Sequence, residues 1–285
     1  MIIETAKAKI NLTLQVLGRR PDGYHELISL VAFADVGDTI TLEPGAPFGI
    51  ETDGAFAGAI DGENLIAKAC RLLREAAPDA RLGLIRLTKN LPVAAGLGGG
   101  SADAAALLRA ILRTEPALQA IVDFRKFAAR LGADVTVCLE QRPALMWSIG
   151  ERVVPIAPLP PCWDVLANPG VPLSTAAVFR TLGAPALHTP AKPPALPDPY
   201  LSLEALVTAM RCRGNDLQAT SIGLCPPIAG VLAILRATPG CLHAAQSGSG
   251  PTCFGLFATR AEARSAAARL TASNPDWWLA AASLG

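Results

Sequence analysis

The sequence predicts an α+β fold in two domains, and three observations lead to that prediction. Hydrophobic residues make up 51% of the 285-residue chain and charged residues 17%, as in a globular protein with a full core. Segments of strand and helix periodicity follow one another without the regular βαβ order of a doubly wound sheet. The composition changes at the proline-rich stretch "APLPPC", so we predict domains over residues 1–157 and 158–285.

The first domain begins with strand signals. Apolar residues alternate at a period of two from Ile10 to Val16, which is typical of a half-buried strand. A turn at residues 21–23 ("PDG") interrupts this pattern, and "LISLVAFA" and "DTITLEP" then predict two more strands. A further strand, "LGLIRLTKNLP", is predicted to end at Lys89 and Pro92.

Helix signals follow in the same domain. "NLIAKACRLLREAA" has apolar residues at helical spacing, with Asn64 as its N-cap. A second apolar stripe, from Ala106 to Ile111, predicts a helix after a run of glycines. "FRKFAARLGADVTVCL" predicts a helix closed by Gly132 and a turn that carries Asp134. "PALMWSIGERVVPI" predicts a β-hairpin.

The second domain mixes both kinds of element. "WDVLANP" and "CFGLFAT" predict strands, and residues 203–210 and 261–270 predict helices. The proline-rich stretch from Thr189 to Pro199 predicts an exposed excursion. Trp277 and Trp278 are interpreted as packing residues.

Composition excludes several classes of function. The 25 basic and 24 acidic side chains nearly cancel, which argues against nucleic acid or an anionic membrane as the main partner. Seven cysteines without a C-x-x-C pair, and only three histidines, argue for reduced thiols and against a zinc cluster. No signal peptide and no apolar run of spanning length is recognised, so a soluble, cytoplasmic protein is expected.

The stretch "PVAAGLGGGSAD" at residues 92–103 carries the strongest chemical signal. Four glycines fall within Gly96–Gly100, directly before a predicted helix. Absent side chains let an oxyanion approach main-chain N–H groups, and a helix N-terminus favours negative charge. The Walker A pattern fails because no lysine follows the glycines, and the dinucleotide pattern fails because Ser101 occupies its last glycine position. The loop therefore predicts a phosphate site of another kind, against the alternative of a simple glycine turn.

This loop resembles the second motif of the GHMP kinases, and six other segments agree with that resemblance in order along the chain. They are "AKAKINLTLQVLGRRPDGYHEL", "ENLIAKACRLL", "LGADV", "NPGVPLSTAAVF", "GNDL" and "SGSGPTCFGLF". The first of these is similar to the GHMP kinases that act on 4-diphosphocytidyl-2-C-methyl-D-erythritol. Together the segments span nearly the whole chain.

The resemblance implies fold, reaction and cofactors. It implies an N-terminal ATP-binding domain like the second domain of ribosomal protein S5, a ferredoxin-like C-terminal domain, and an active site between them. The implied reaction is ATP-dependent phosphorylation of the substrate's 2-hydroxyl in the non-mevalonate (methylerythritol phosphate) isoprenoid route. Mg2+ should be required, because the charges of ATP must be neutralised as the γ-phosphoryl group leaves. A monomer or weak homodimer is expected, and the magnesium ligands are unknown.

The resemblance also assigns catalytic roles. Asp134 matches the family's catalytic aspartate, a general base for the attacking hydroxyl. Lys9 matches the catalytic lysine, whose charge supports that base and the transferred phosphoryl group. Without the resemblance, Asp134 would be interpreted as a turn or cap residue and Lys9 as a solvated strand residue, as Lys7 still is.

Binding residues are assigned in the same way. The implied substrate contacts are Asn11, Tyr24, His25, Thr175 and Phe179, with Tyr24 and Phe179 as two walls around cytosine. The implied ATP contacts are Pro92, Val93, Ala94, Ala95, Gly96, Leu97, Gly98, Gly99, Gly100, Ser101 and Ala102, with Lys89 and Asn64 near the nucleotide base. Gly248 and Gly250 match the third motif.

Three positions depart from the family pattern, and two other functions stay open. Thr136 replaces a usual proline, Ser148 stands where a glycine is frequent, and Ser249 differs from the usual small residue. One alternative is a GHMP kinase with another acceptor, which the Tyr24–His25 pair disfavours. The other is a nucleotide-binding protein without catalysis, which the presence of both Lys9 and Asp134 disfavours.

Overall fold

The structure, a computed structural model, describes residues 1–60, 64–189 and 191–285. Its strands are β1 (Ile2–Asn11), β2 (Gln15–Arg19), β3 (His25–Glu43), β4 (Gly49–Asp53), β5 (Leu84–Thr88), β6 (Ala144–Ser148), β7 (Arg152–Pro155), β8 (Cys162–Asn168), β9 (His243–Gln246), β10 (Cys253–Phe257) and β11 (Trp278–Leu284). Its α-helices are α1 (Leu65–Ala76), α2 (Gly99–Thr114), α3 (Phe124–Leu131), α4 (Val135–Glu140), α5 (Thr175–Leu182), α6 (Leu203–Arg213), α7 (Gln218–Leu224), α8 (Pro227–Ala237) and α9 (Arg260–Ser273).

The chain forms two compact units. The first unit contains Met1–Ala8, Gly37–Val93 and Gly98–Gln141. The second unit contains Lys9–Val36, Ala94–Leu97 and Arg142–Gly285. The chain passes between the units within β1 and β3, so sequence order alone does not separate them.

The first unit combines strands with a helical layer centred on α2. The last part of β3 pairs antiparallel with β5, and β5 pairs in parallel with β4. Helix α2 contacts α1, α3 and α4, and its alanine-rich sequence allows this close packing. The predicted cap of α1 is confirmed, since Asn64 Oδ1 accepts the N–H of Ala67 at 2.8 Å.

The second unit contains an antiparallel sheet in the order β11–β8–β10–β9. In chain order these strands and their helices read β8, helices, β9, β10, α9, β11, which is the split βαβ arrangement of a ferredoxin-like fold. Helices α8 and α9 pack against this sheet, and α5 and α7 join them around an apolar cluster that includes Val165, Leu232 and Phe257. The predicted α+β fold class is confirmed.

Two strand predictions differ from the structure. The predicted strand over residues 10–16 divides because Leu12 and Thr13 both donate their N–H groups to the carbonyl of Leu30, which interrupts the ladder. The two strands predicted after the "PDG" turn form one strand of 19 residues, β3. Gly37 lies within it, where a Cβ would be 2.2 Å from the carbonyl oxygen of Ala6. The glycine therefore permits close backbone approach inside a strand rather than ending one.

Most of the predicted proline-rich excursion carries no regular structure. Pro190 lies outside the described residues, and residues 191–200 contain neither helix nor strand and no buried side chain. Trp277 packs against the apolar cluster of the second unit, as predicted. Across residues 1–60, 64–189 and 191–285, none of the helices has both the length and the apolarity needed to cross a bilayer.

Candidate active site

The glycine loop, Pro92–Ala102, leads directly into α2. Gly98 is the N-cap residue at φ +63°, and the N–H of Ala102 donates to its carbonyl at 2.8 Å. No acidic side chain lies in the first turn of this described helix. A Cβ added at Gly100 would meet no described atom within 4 Å, so the space beside the first turn is open. The N–H groups of this turn can therefore receive an anion, as the sequence predicts.

The middle of the loop, Ala94–Leu97, belongs to the second unit and is held by other groups of that unit. Gly96, at φ +75°, approaches so closely that a Cβ would lie 2.4 Å from the carbonyl oxygen of Ser247. Ser247 Oγ donates to the carbonyl of Gly96 at 2.9 Å, and the N–H of Thr252 donates to that of Ala95 at 3.2 Å. The N–H of Lys9 donates to the carbonyl of Leu97 at 2.9 Å. Only glycine fits at position 96.

Asn11 belongs to the same hydrogen-bonded group. Its main-chain N–H donates to Ser247 Oγ at 3.1 Å, and its Nδ2 donates to Ser29 Oγ at 2.7 Å. Its Oδ1 faces Gly248, where a Cβ would be 3.0 Å away. The structure thus brings Asn11 against the third motif, and its predicted contact with substrate stays a prediction.

The two predicted catalytic residues lie in different units. Lys9 is buried near the end of β1. Asp134 is half-buried and lies in a turn, as predicted, where it is the N-cap residue of the short helix α4. Although Asp134 occupies the cap position, no described N–H of the first turn is capped by its side chain. The alternative of a capping residue is therefore not supported, whereas Asp134 does lie in a turn, and the catalytic roles stay predictions.

Lys89 lies in a buried ion-paired group that the sequence reasoning missed. Its Nζ is 2.5 Å from Asp38 Oδ2 and 2.7 Å from Asp103 Oδ2. Burial opposes the charge on Lys89, but the carboxylates of Asp103 and Asp38 outweigh it and raise the lysine pKa. Its predicted position near the nucleotide base is untested. No short motif joins residues 38, 89 and 103, so the sequence offered no signal for this group.

The predicted cytosine-binding residues lie in the second unit, beside the "PDG" turn. The ring centroids of His25 and Phe179 are 4.9 Å apart, with a tilt of 35°. Tyr24 is 61% exposed, so its ring has a free face for stacking. Desolvation, followed by the positive charge of Arg19, lowers the pKa of His25 below its ordinary 6.5. A neutral imidazole offers one donor and one acceptor nitrogen.

Thr175 lies beside one of the departures from the family pattern. The hydroxyls of Thr175 and Ser249 are 2.7 Å apart and hydrogen-bonded. The carbonyl of Ser249 accepts the hydroxyl of Ser221 at 3.1 Å. The serine at 249 therefore adds a hydroxyl that orients a predicted substrate contact.

The other two departures have local structural explanations. Ser148 has φ +66°, a conformation that favours glycine, and its Oγ accepts from Arg20 Nη1 at 2.9 Å. Arg20 also pairs with the buried Glu26 at 3.3 Å, at the base of the "PDG" turn. Thr136 lies in the first turn of α4, where a proline is tolerated, and its buried Oγ1 has no partner among the described residues.

No acidic cluster in the described residues could hold a metal ion by itself. Within residues 1–60, 64–189 and 191–285, no group of three or more histidine, cysteine, aspartate or glutamate side chains has the required proximity. Magnesium in kinases is held largely by phosphate oxygens and water, with one or two protein ligands. The chain's donor set is compatible with an ion that arrives with ATP, and no protein ligand is assigned.

Comparison with known proteins defines the class first. The sequence matches the models "GHMP kinases N terminal domain" over residues 64–141 and "GHMP kinases C terminal" over residues 200–276. These two ranges lie on either side of the predicted boundary near residue 157, which itself stays a prediction. The class is therefore the GHMP kinases, as the sequence motifs implied.

Individual relatives narrow the class. The 4-diphosphocytidyl-2-C-methyl-D-erythritol kinase of Parvibaculum lavamentivorans is 48% identical over 286 residues, covering 100% of this chain and 98% of that protein. A crystal structure of 4-(cytidine 5'-diphospho)-2C-methyl-D-erythritol kinase is 36% identical, with a TM-score of 0.78 over 100% of this chain and 99% of that one. This chain belongs to the family of 4-diphosphocytidyl-2-C-methyl-D-erythritol kinases.

A more distant structure supports the fold alone. Homoserine kinase from Cytophaga hutchinsonii is 17% identical, with a TM-score of 0.64 over 98% of this chain and 93% of that one. The architecture is thus shared across kinases with different acceptors, and the acceptor must be argued from site residues.

Proposed function

We propose that this protein transfers the γ-phosphoryl group of ATP to the 2-hydroxyl of 4-diphosphocytidyl-2-C-methyl-D-erythritol, in the methylerythritol phosphate route to isoprenoid precursors. The observation that carries the proposal is the ring pair of His25 and Phe179 beside exposed Tyr24. This arrangement suits a planar base with a polar edge. Homoserine and mevalonate have no such base, so the ring pair supports a cytidyl acceptor over other GHMP kinase acceptors.

Recognition of cytosine follows from the chemistry of the neutral imidazole. Cytosine presents an amino donor and ring acceptors along one edge, and His25 can supply a matching acceptor and donor. The rings of Tyr24 and Phe179 supply apolar faces for stacking. On acidification His25 gains a proton and can no longer accept a hydrogen bond from cytosine. The KM for the cytidyl substrate should therefore rise at low pH.

In this proposal the glycine loop binds the phosphates of ATP. The first turn of α2 presents main-chain N–H groups, the positive end of the helix dipole and the Ser101 hydroxyl, without an opposing carboxylate in that turn. Magnesium, bound with the nucleotide, would supply charge neutralisation of the phosphates. The chain's own part is to orient the γ-phosphoryl group for direct in-line transfer.

Proton transfer is assigned to Asp134. Its carboxylate accepts the proton of the acceptor's 2-hydroxyl as the oxygen attacks phosphorus, and the ammonium of Lys9 stabilises the negative charge that develops. No phosphoenzyme is required. The half-buried position of Asp134, directly before α4 in the segment "LGADV", supports this role.

The test is coupled ADP release with Mg-ATP and four acceptors: the cytidyl substrate, mevalonate, homoserine and galactose. We expect turnover with the cytidyl substrate alone, and 31P NMR should place the new phosphate on its 2-hydroxyl. Turnover confined to another acceptor would overturn the substrate assignment. No turnover with any acceptor, together with retained ATP binding, would favour a nucleotide-binding protein without catalysis.

Asp134→Asn tests the base. We expect kcat to fall by about 10²–10⁴-fold, the usual contribution of general base catalysis, with an unchanged unfolding transition. Asp123→Asn is the matched control, because Asp123 is the N-cap residue of α3 and its Oδ1 does accept the N–H of Lys126 at 3.1 Å. A near-normal rate for Asp134→Asn would rule out an essential base.

A further inference from the structure

Three buried charged side chains of the first unit form the group Lys89–Asp38–Asp103. Asp38 is fully buried, and Lys89 and Asp103 are each 4% exposed. The lysine ammonium contacts one oxygen of each carboxylate, at 2.5 and 2.7 Å. One cation thus faces two carboxylates. Such a group is costly to bury, and removal of one partner leaves an uncompensated charge.

The group connects the two ends of the glycine loop. Asp38 Oδ1 accepts the N–H groups of Asn90 at 2.6 Å and Leu91 at 2.7 Å, which directly precede Pro92. Asp103 lies in α2 one residue after the loop ends at Ala102. Lys89 therefore pairs with one carboxylate at each end of the loop. Asp38 binds the two residues directly before the loop, and Asp103 lies on the helix directly after it.

The ammonium also lies directly beside the start of the helix. A Cβ added at Gly99, the first residue of α2, would be 3.1 Å from Lys89 Nζ. Gly99 leaves space for the ammonium to reach both carboxylates. The charged group thus lies next to the N–H groups that the proposed function assigns to phosphate.

We propose that Lys89 is a positioning residue, which sets the spacing of the glycine loop's two ends through Asp38 and Asp103, and that Asp103 makes this site sensitive to pH. The proposal rests on the proposed function only in that the loop's ligand is ATP. It differs from a direct contact of Lys89 with the nucleotide base, because the ammonium is engaged by two carboxylates.

The charge balance explains the sensitivity to pH. Burial, opposed by Lys89 and reinforced by Asp38, raises the pKa of Asp103 to about 7. Lys89 and Asp38 are the charged groups that act on it, and Asp103 Oδ1 has no partner among the described residues. With Asp103 protonated the group is neutral overall. As Asp103 ionises with rising pH, the group gains one negative charge beside the phosphate site, which weakens nucleotide binding.

The first experiment is amide hydrogen exchange on Lys89→Met without nucleotide, so it requires no turnover. Loss of charge-assisted hydrogen bonds predicts about ten-fold faster exchange for residues 90–103. Exchange in the second unit's strands should not change. The matched control is Arg109→Met, which removes an ion pair with Glu4 (3.0 Å) from the same helix, away from the loop. Equal exchange in the loop for both variants would overturn the positioning role.

The second experiment is steady-state kinetics. Lys89→Met should raise KM for ATP more than it lowers kcat, and KM for the acceptor should change little. Equal losses in every parameter would contradict positioning of the nucleotide loop. If the wild-type protein turns over no acceptor, the proposed function fails, whereas the exchange experiment still decides the positioning role.

Asp103→Asn keeps the proposal falsifiable if Lys89→Met does not fold. Asparagine has the same shape as aspartate and stays neutral, so the nucleotide site of the Asp103→Asn variant gains no charge at this position as pH rises. The ratio of the wild-type KM for ATP to that of Asp103→Asn should rise from about 1 at pH 6 to several-fold at pH 8. Forming the ratio cancels the ionisation of ATP itself. A ratio that does not vary with pH would overturn the assigned role of Asp103.

Discussion

Asp164 is a buried acid in the centre of the second unit's sheet, and its replacement should stabilise the protein. It lies on β8 between Leu256 of β10 and Ala282 of β11, with no exposed surface. Neither carboxyl oxygen has a hydrogen-bond partner of normal geometry among the described residues. Burial raises the pKa of this carboxyl well above its ordinary 3.8, and the main-chain N–H of Ala282 offsets only part of that effect.

The expected gain in the free energy of unfolding on replacing Asp164 has two parts. A buried polar group without a partner costs about 1–3 kcal/mol, independently of pH. The folded protein also retains a proton that the unfolded chain releases above pH 3.8, so each further pH unit costs about 1.4 kcal/mol. The sign is therefore a loss of stability as pH rises from about 4 toward the folded pKa. Asp164→Val removes both costs and places a β-branched residue in a strand.

Urea denaturation of three proteins between pH 4.5 and 7 separates the two parts. Asp164→Val should be about 2 kcal/mol more stable than the wild type at the acid end, with a lead that grows with pH. Asp164→Asn is the matched control: it keeps polar atoms of the same shape and cannot titrate. The Asn variant should thus lose the pH dependence and retain the burial cost. A constant difference between the wild type and Asp164→Asn across this range would refute the reasoning.

Two further predictions concern hydrogen bonds near the candidate site. Ser148→Ala and Ser148→Gly both lose the acceptor for Arg20, but only glycine adopts the left-handed φ without strain. Ser148→Gly should therefore be about 1 kcal/mol more stable than Ser148→Ala by urea denaturation. Equal stability would show that position 148 carries no strain. Ser247→Ala unpairs the N–H of Asn11 and removes the hydroxyl donor to the carbonyl of Gly96, which should cost about 2 kcal/mol or more and raise KM for ATP. An unchanged KM for ATP would show that Ser247 does not support nucleotide binding by the loop.

The sequence predicted local features well because their causes are local. Asn64 caps α1 as expected, because a cap depends on one side chain and the N–H three residues on. Gly132 ends α3, and the hairpin of β6 and β7 forms where its turn signals lie. Motif order along the chain was enough to identify the family, which the relatives confirm.

The sequence failed where distant segments decide the outcome. Gly37 was compatible with a break between strands, yet it permits contact with Ala6 inside one strand of 19 residues. Asp134 does lie in the predicted turn, but the sequence missed the short helix α4 that follows it and packs against α2 and α3.

By itself, the sequence determined the fold class, the glycine loop with its helix, and the family, since periodicity, capping and motif spacing are properties of neighbouring residues. Only the tertiary structure decided which buried charges meet. Lys89, Asp38 and Asp103 are separated by up to 65 positions, and their pairing depends on β3, β5 and α2 packing together. The burial of Asp164 likewise depends on β10 and β11, which follow β8 only after several helices and flank it in the sheet. Burial turns such residues from solvated charges into determinants of stability and pH response, and burial is a property of the whole fold.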